Sequence, residues 1–230
     1  MCVNFVSKLN TDENLDFCVL LGYIISMPIT DKSICNPKVR LLDDLVRVQP
    51  GYFSRGKVRS TPNGTHFLIQ ARDVSPESGI SLDLAIRFKP ERKAELYQVF
   101  GGDILLTARG QAHGAYLVSH DLADTLVSSV FYILRPNPQV IRPAYLAWWL
   151  NLPDVQARIQ GHSRGTGIGY MSRQALEQLS VCVPLLEVQV RIEQVVALWQ
   201  KKQQLQARLD SKREQFIQTL CKKAVLQTQE

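Results

Sequence analysis

The 230-residue sequence has no Cys-x-x-Cys pair: its five cysteines, at positions 2, 18, 35, 182 and 221, are scattered and odd in number. That pattern excludes a disulfide framework and a zinc knuckle, and points to a reduced, cytoplasmic protein. A long hydrophobic run is missing too. The longest, Phe17 to Ile29, falls short of the roughly 20 residues of a membrane span. The acidic Asp12, Glu13 and Asp16 precede it, where a secretory leader would be basic. It reads as a buried segment. Neither glycine nor proline occurs after Pro184, so nothing interrupts a helix there. Lysine is scarce between residues 39 and 186, where thirteen arginines accompany only three lysines. With 45% apolar and 21% charged residues, and neither an internal repeat nor a low-complexity tract, the composition is that of a globular chain.

Motifs for catalysis are also absent. Gly165-Thr-Gly-Ile-Gly169 follows a helix instead of a strand and has no lysine after it, so it is not a phosphate loop. Asn36-Pro37-Lys38 and Asn137-Pro138-Gln139 lack the second proline and the ring of an adenine-methyltransferase tetrad. The histidines at 66, 113, 120 and 162 have no metal-ligand spacing, and His113, beside a glycine, is expected on the surface. Asp154 with Asp210 and Lys212 matches the crudest metal-nuclease pattern. Its second half falls on a long helix, however, and is read as coincidence. No Gly-x-Ser-x-Gly elbow or Cys–His pairing marks a nucleophile. A non-enzyme with no cofactor or metal of its own is expected.

Three regions emerge. Residues 1–38 form a partly hydrophobic N-terminal extension with three basic and four acidic side chains. Residues 39–186, with sixteen basic and twelve acidic side chains, show mixed periodicity and read as an α/β (mixed α+β) domain of short strands. Strands are predicted at His66–Ala71, Ile104–Thr107, Ala115–Val118, Val130–Leu134 and Ser180–Val183. A helix opens at Pro143 with Leu146, Trp149, Leu150, Val155 and Ile159 inward, and Pro153 breaks it near Asn151. Ser172 caps a short helix over Arg173–Leu179. Residues 187–230 are predicted as one long helix. Ile192, Val195, Leu198, Leu205, Leu209 and Phe216 lie in heptad phase, with Lys202 and Lys212 in the same seam. A helix of forty residues spans about 60 Å. Such a stripe is expected to meet a partner helix, the alternative being an amphipathic helix folded back on its own domain.

What the middle region offers is arginine, whose planar fork pairs bidentately with phosphate and with the O6/N7 edge of guanine. Several arginines stand in turn-like contexts beside glycine, aromatic or hydroxyl residues. The candidate DNA-binding residues are Tyr52, Arg55, Lys57, Arg59, Arg72, Arg109, Gln111, Arg164, Thr166 and Arg173. A net charge of +6 is compatible with such a partner.

These segments also carry a resemblance, through Arg47-Val-Gln-Pro-Gly-Tyr52 to Arg59, Leu68-Ile-Gln-Ala-Arg-Asp-Val74 and Gly102-Asp-Ile-Leu-Leu-Thr-Ala-Arg-Gly110. Further on come Arg142-Pro-Ala-Tyr-Leu-Ala-Trp-Trp-Leu150, Arg164-Gly-Thr-Gly-Ile-Gly-Tyr-Met-Ser172 and Val183-Pro-Leu-Leu-Glu-Val-Gln-Val-Arg-Ile192. In this order, over roughly residues 40 to 220, they resemble the target-recognition half of a type I restriction-modification specificity (S) subunit. Leu185 departs from the family, which often has a second proline there.

The resemblance implies a non-catalytic, sequence-specific reader of double-stranded DNA. Its globular domains bind the half-sites of an interrupted target, and its long helices dock adenine methyltransferase subunits and, in larger assemblies, restriction subunits. S-adenosylmethionine and magnesium belong to those partners. A full S subunit has two recognition domains and two helices. One of each implies a half-length form that pairs with a second copy or another half S subunit. Two such chains packed antiparallel would set half-sites about 15 base pairs apart, if the helices act as a ruler of roughly 50–60 Å. The alternative is a truncated, decoy-like interaction module that binds partner subunits without reading DNA.

Overall fold

The structure, a computed structural model, describes residues 38–227 except 55, 57, 77–78, 84, 92–93, 111–112 and 163–168. The N-terminal extension up to residue 37 lies outside the described residues. Contacts divide the chain into two units, residues 1–192 and 193–230. The fold is mixed α+β with short strands and a long C-terminal helix, the class expected.

In the first unit a four-stranded antiparallel sheet has the order β2 (Val46–Pro50), β10 (Phe131–Pro136), β7 (Ile104–Thr107) and β8 (Ala115–Leu117). Its centre is apolar on both faces: Ile104, Leu105 and Leu106 on β7, and Phe131 to Leu134 on β10, are all buried. That explains why they read as continuous apolar runs, not as alternation. A second sheet joins β6 (Ile86–Phe88) antiparallel and β9 (Thr125–Val127) parallel to β3 (His66–Ile69). The short pair β4 (Val74–Ser75) and β5 (Gly79–Ile80) lies between β3 and β6 in sequence. Gly51, at the end of β2, is required by close approach: a Cβ there would sit 2.2 Å from the Ser128 carbonyl oxygen.

Helices cover the larger sheet. Helix α1 (Pro143–Leu150) begins at proline and α2 (Pro153–His162) at the next, with Asn151 closing the first. The predicted inward stripe of Leu146, Trp149, Leu150, Val155 and Ile159 is buried in one cluster with Leu106, Leu134 and Met171. Ser172 Oγ accepts from the Ala175 N–H and caps α3 (Arg173–Glu177). Strand β11 (Ser180–Val183) then pairs antiparallel with β1 (Lys38–Leu41).

The long helix α4 (Leu186–Gln227) is 42 residues, about 63 Å at 1.5 Å per residue. Its first turns belong to the first unit through Gln189, which is fully buried. The Gln189 amide donates to the Pro184 carbonyl at 2.8 Å and the Val140 carbonyl at 3.2 Å, and accepts from the Arg142 N–H at 2.8 Å. Ile192 packs against the large core cluster. In the second unit Val195 is buried, whereas Leu198, Leu205, Leu209, Phe216, Ile217 and Leu220 are 50–65% exposed. The polar side chains of that unit pair along their own helix. Arg213 reaches Asp210 at 3.4 Å, and Lys212 donates to Gln215 at 3.2 Å.

Gln189→Leu keeps the volume but takes the side-chain partner from two carbonyls and one N–H. Denaturant unfolding should show a loss of about 2–3 kcal/mol, whereas Gln→Ala at the exposed Gln204 should change nothing measurable.

Candidate nucleic-acid interface

The structure sorts the ten candidate residues. Arg55, Lys57, Gln111, Arg164 and Thr166 lie outside the described residues. Tyr52 is corrected. It is 3% exposed and packs with Leu68, Phe88 and Leu126. Its ring lies edge-on to Tyr97 at 5.4 Å, and its hydroxyl accepts from the Glu91 N–H. A side chain so enclosed packs the core and reaches no groove. His113 is corrected likewise: it is fully buried, and its Nδ1 donates to the Thr107 carbonyl at 2.7 Å.

Arg59 and Arg72 are exposed and belong to the segments flanking β3. Arg72 lies 3.6 Å from the buried carboxylate of Asp73. Arg109 and Arg173 instead come together around a pair of tyrosines. Arg109 ends the extension of β7, where its backbone bridges antiparallel to Tyr170. The Gly110 N–H donates to the Gly169 carbonyl at 3.1 Å, and the Met171 N–H to the Ala108 carbonyl at 3.0 Å. Gly110 has φ of +136°, a conformation that side chains with a Cβ rarely adopt, so the turn needs glycine. The Arg109 guanidinium lies over the Tyr170 ring at 5.4 Å. The Tyr170 hydroxyl is 2.9 Å from that of Tyr132, which also lies 3.1 Å from the Met171 carbonyl. Because a carbonyl only accepts, Tyr132 donates to it and receives the Tyr170 proton.

Burial pushes the Tyr132 phenol well above its ordinary value, and the Tyr170 bond adds to this; Arg173 and Arg109 pull it down, placing both cations within its field. Tyr132 therefore stays a donor throughout the physiological range. Arg173 is partly neutralised by Glu177 at 2.6 Å. Arg109, 5.4 Å from the Tyr170 ring, has no hydrogen bond or ion pair among the described residues. The other strongly engaged arginine is structural: Arg135 pairs with buried Asp103 at 3.0 Å and donates to the Gln98 carbonyl at 2.6 Å.

Two side-chain amides hold the turn from behind. Strand β8 is the edge of its sheet, leaving alternate backbone groups unpaired. Asn151 fills one place: its Oδ1 accepts from the Ala115 N–H at 2.9 Å, and its Nδ2 donates to the Ala115 carbonyl at 2.7 Å. Gln156 does the same two residues earlier. It accepts from the His113 N–H at 3.3 Å and donates to the His113 carbonyl at 2.9 Å. Together the amides imitate a neighbouring strand. Tyr170, Tyr132, Asn151 and Gln156 were all absent from the sequence-derived candidates. An aromatic ring just past the Gly165–Gly169 loop was the available signal for Tyr170.

The comparisons bear on this arrangement. No protein-family model matches the chain. Over 124 residues it is 27% identical to the type I restriction enzyme HindI specificity subunit of Haemophilus influenzae, a match covering 53% of this chain and 27% of that protein. Over that stretch the chain is similar to a type I specificity subunit. It also shares the fold of such subunits. The S subunit of M. genitalium superposes with a TM-score of 0.53 at 15% identity, covering 74% of this chain and 40% of that one. The HsdS subunit of Thermoanaerobacter tengcongensis gives 0.51 at 18% identity, covering 85% and 45%. A chain from a type I restriction-modification assembly gives 0.56 at 16%, covering 85% and 46%. The chain thus spans less than half the length of the specificity-subunit relatives it matches.

Asn151→Ala removes the amide pair from Ala115 and nothing from the turn itself. Hydrogen exchange at the Ala115 amide should accelerate about tenfold, with about 1–2 kcal/mol lost from stability.

Proposed function

We propose that the chain is a non-catalytic DNA-specificity module of a type I-like restriction-modification system, working in the cytoplasm. Its globular domain, taken as residues 39–186, reads one half-site of duplex DNA. Its helix, residues 187–230, recruits the adenine methyltransferase subunit and, where present, the restriction subunit. The observation that carries this reading is the gathering of Arg109 and Arg173 around Tyr132 and Tyr170 on a fold shared with specificity subunits. Exposed guanidinium groups on a rigid turn suit both phosphates and base edges. Cofactor chemistry stays with the partners.

The helix supports the second half of the reading. Leu198, Leu205, Leu209 and Phe216, at expected seam positions, are each more than half exposed. Apolar side chains in such a row are covered by a helix of like pattern, and a second copy supplies one. Lys202 and Lys212 in the seam lower stability while fixing register.

For the full chain on duplex DNA, log Kd should rise linearly with log salt as counterions are released. Arg173→Ala should flatten that slope by about one and weaken all sequences alike, as measured by fluorescence anisotropy. Absence of duplex binding at low salt, with methyltransferase capture intact, would sink the DNA-reading role and favour the decoy-like module.

Leu205→Glu combined with Leu209→Glu should convert the dimer to monomer in sedimentation velocity. The thermal transition of the globular part should remain in place.

A further inference from the structure

Among the described arginines of the globular unit, Arg109 and Arg87 are exposed and lie over an aromatic ring without an ion pair, but only the ring beside Arg109 carries a hydroxyl bonded to a buried partner. Arg135 is held by Asp103 and the Gln98 carbonyl, Arg173 by Glu177, and Arg72 lies against Asp73. The Arg109 side chain is exposed and its recorded contact is a ring face. Such a contact uses the charge of the guanidinium and none of its hydrogen-bonding capacity, since the ring takes no N–H of the fork in plane. The donors remain available to an acceptor that matches them.

The ring is itself fixed. Tyr170 is tied to the Arg109 strand by its backbone bridge and by the flanking bonds Gly110–Gly169 and Met171–Ala108. At its far end the Tyr170 hydroxyl donates to Tyr132, which is 4% exposed and stands in the centre of the larger sheet. A hydrogen bond at a ring's tip anchors the ring in place, and an anchored ring restricts the cation beside it. Arg109 therefore forfeits little rotamer freedom on binding. A contact to phosphate alone requires charge more than plane, as lysine shows. Orientation is useful where the acceptor is planar and paired, which describes the O6 and N7 edge of guanine in the major groove.

We propose that Arg109 and Tyr170 form a preorganised guanine-reading pair, in which Arg109 donates to O6 and N7 and Tyr170 is the positioning residue that orients it. The inference rests on the duplex-reading function proposed above and names the base that this turn reads.

The test begins with the full chain and a randomised duplex library, the bound fraction being sequenced for wild type, Arg109→Lys, Tyr170→Ala and Tyr170→Phe. Wild type should select guanine at one position more strongly than the variants do. Arg109→Lys and Tyr170→Ala should flatten the preference at that position alone, while Tyr170→Phe, which keeps the ring, retains most of it. Replacing the selected guanine by 7-deazaguanine should weaken wild type about tenfold and Arg109→Lys by less than twofold. Melting temperatures of all four proteins show whether they are folded; both side chains are exposed, so they should agree closely. If Arg109→Lys or Tyr170→Ala weakens every sequence equally, the contact is to phosphate and the pair is refuted while duplex reading stands. An unchanged preference in either variant likewise refutes it. A wild type without sequence preference refutes the pair together with the function beneath it.

Discussion

One buried amide holds the place where the globular unit gives way to the long helix. Gln189 ties the Arg142 N–H at the start of α1, the Val140 carbonyl before it and the Pro184 carbonyl before α4. The amide itself is fully buried, so each of its polar atoms needs a partner, and these three backbone groups supply them. The first turn of α4 and the entry of α1 are therefore held by the same side chain. From α1 the constraint passes to Asn151 at its end, and from Asn151 to the edge of β8. The turn at Arg109 lies at the end of a chain of hydrogen bonds between side-chain amides and backbone, each satisfied on both sides.

Charge is distributed with similar economy. Thirteen arginines between residues 39 and 186 suggest a broad cationic face. Several are occupied elsewhere: Arg135 neutralises Asp103 in the interior, and Arg173 pairs with Glu177 on its helix. Exposed ion pairs contribute little stability, but they subtract from the field that a polyanion meets. Counting basic residues therefore overstates the interface. Which exposed guanidinium lies on a ring that is itself anchored is the more selective measure, and among the described residues Arg109 meets it.

Much of the scaffold was legible in the sequence. The strand at Ser180–Val183, the helix opening at Pro143, its break near Asn151 and the Ser172 cap all follow from local signals of proline, hydroxyl and apolar runs. Strands β1, β2, β4, β5, β6 and β9 did not, because two to five residues carry too little periodicity. The site was harder still. Tyr52 beside glycine and arginine reads as exposed, yet its burial is decided by Phe88 and Tyr97, far along the chain. Asn151 and Gln156 meet partners 36 and 43 residues away, and Arg109 meets a ring at position 170. No window of sequence contains those pairings. The stretches that carry the family resemblance turn out to include the scaffold's polar joints, Asp103, Tyr145 and Gln189, each hydrogen-bonded within the interior.

The grip of Asn151 and Gln156 has one more consequence. Both amides clasp main-chain atoms of Ala115 and His113 and, among the described residues, no side chain of the turn they support. Such a clasp is indifferent to what the turn displays, provided the backbone still bends at Gly110. The displayed residues can thus change like type in a fixed frame, while the main chain beneath them keeps its support.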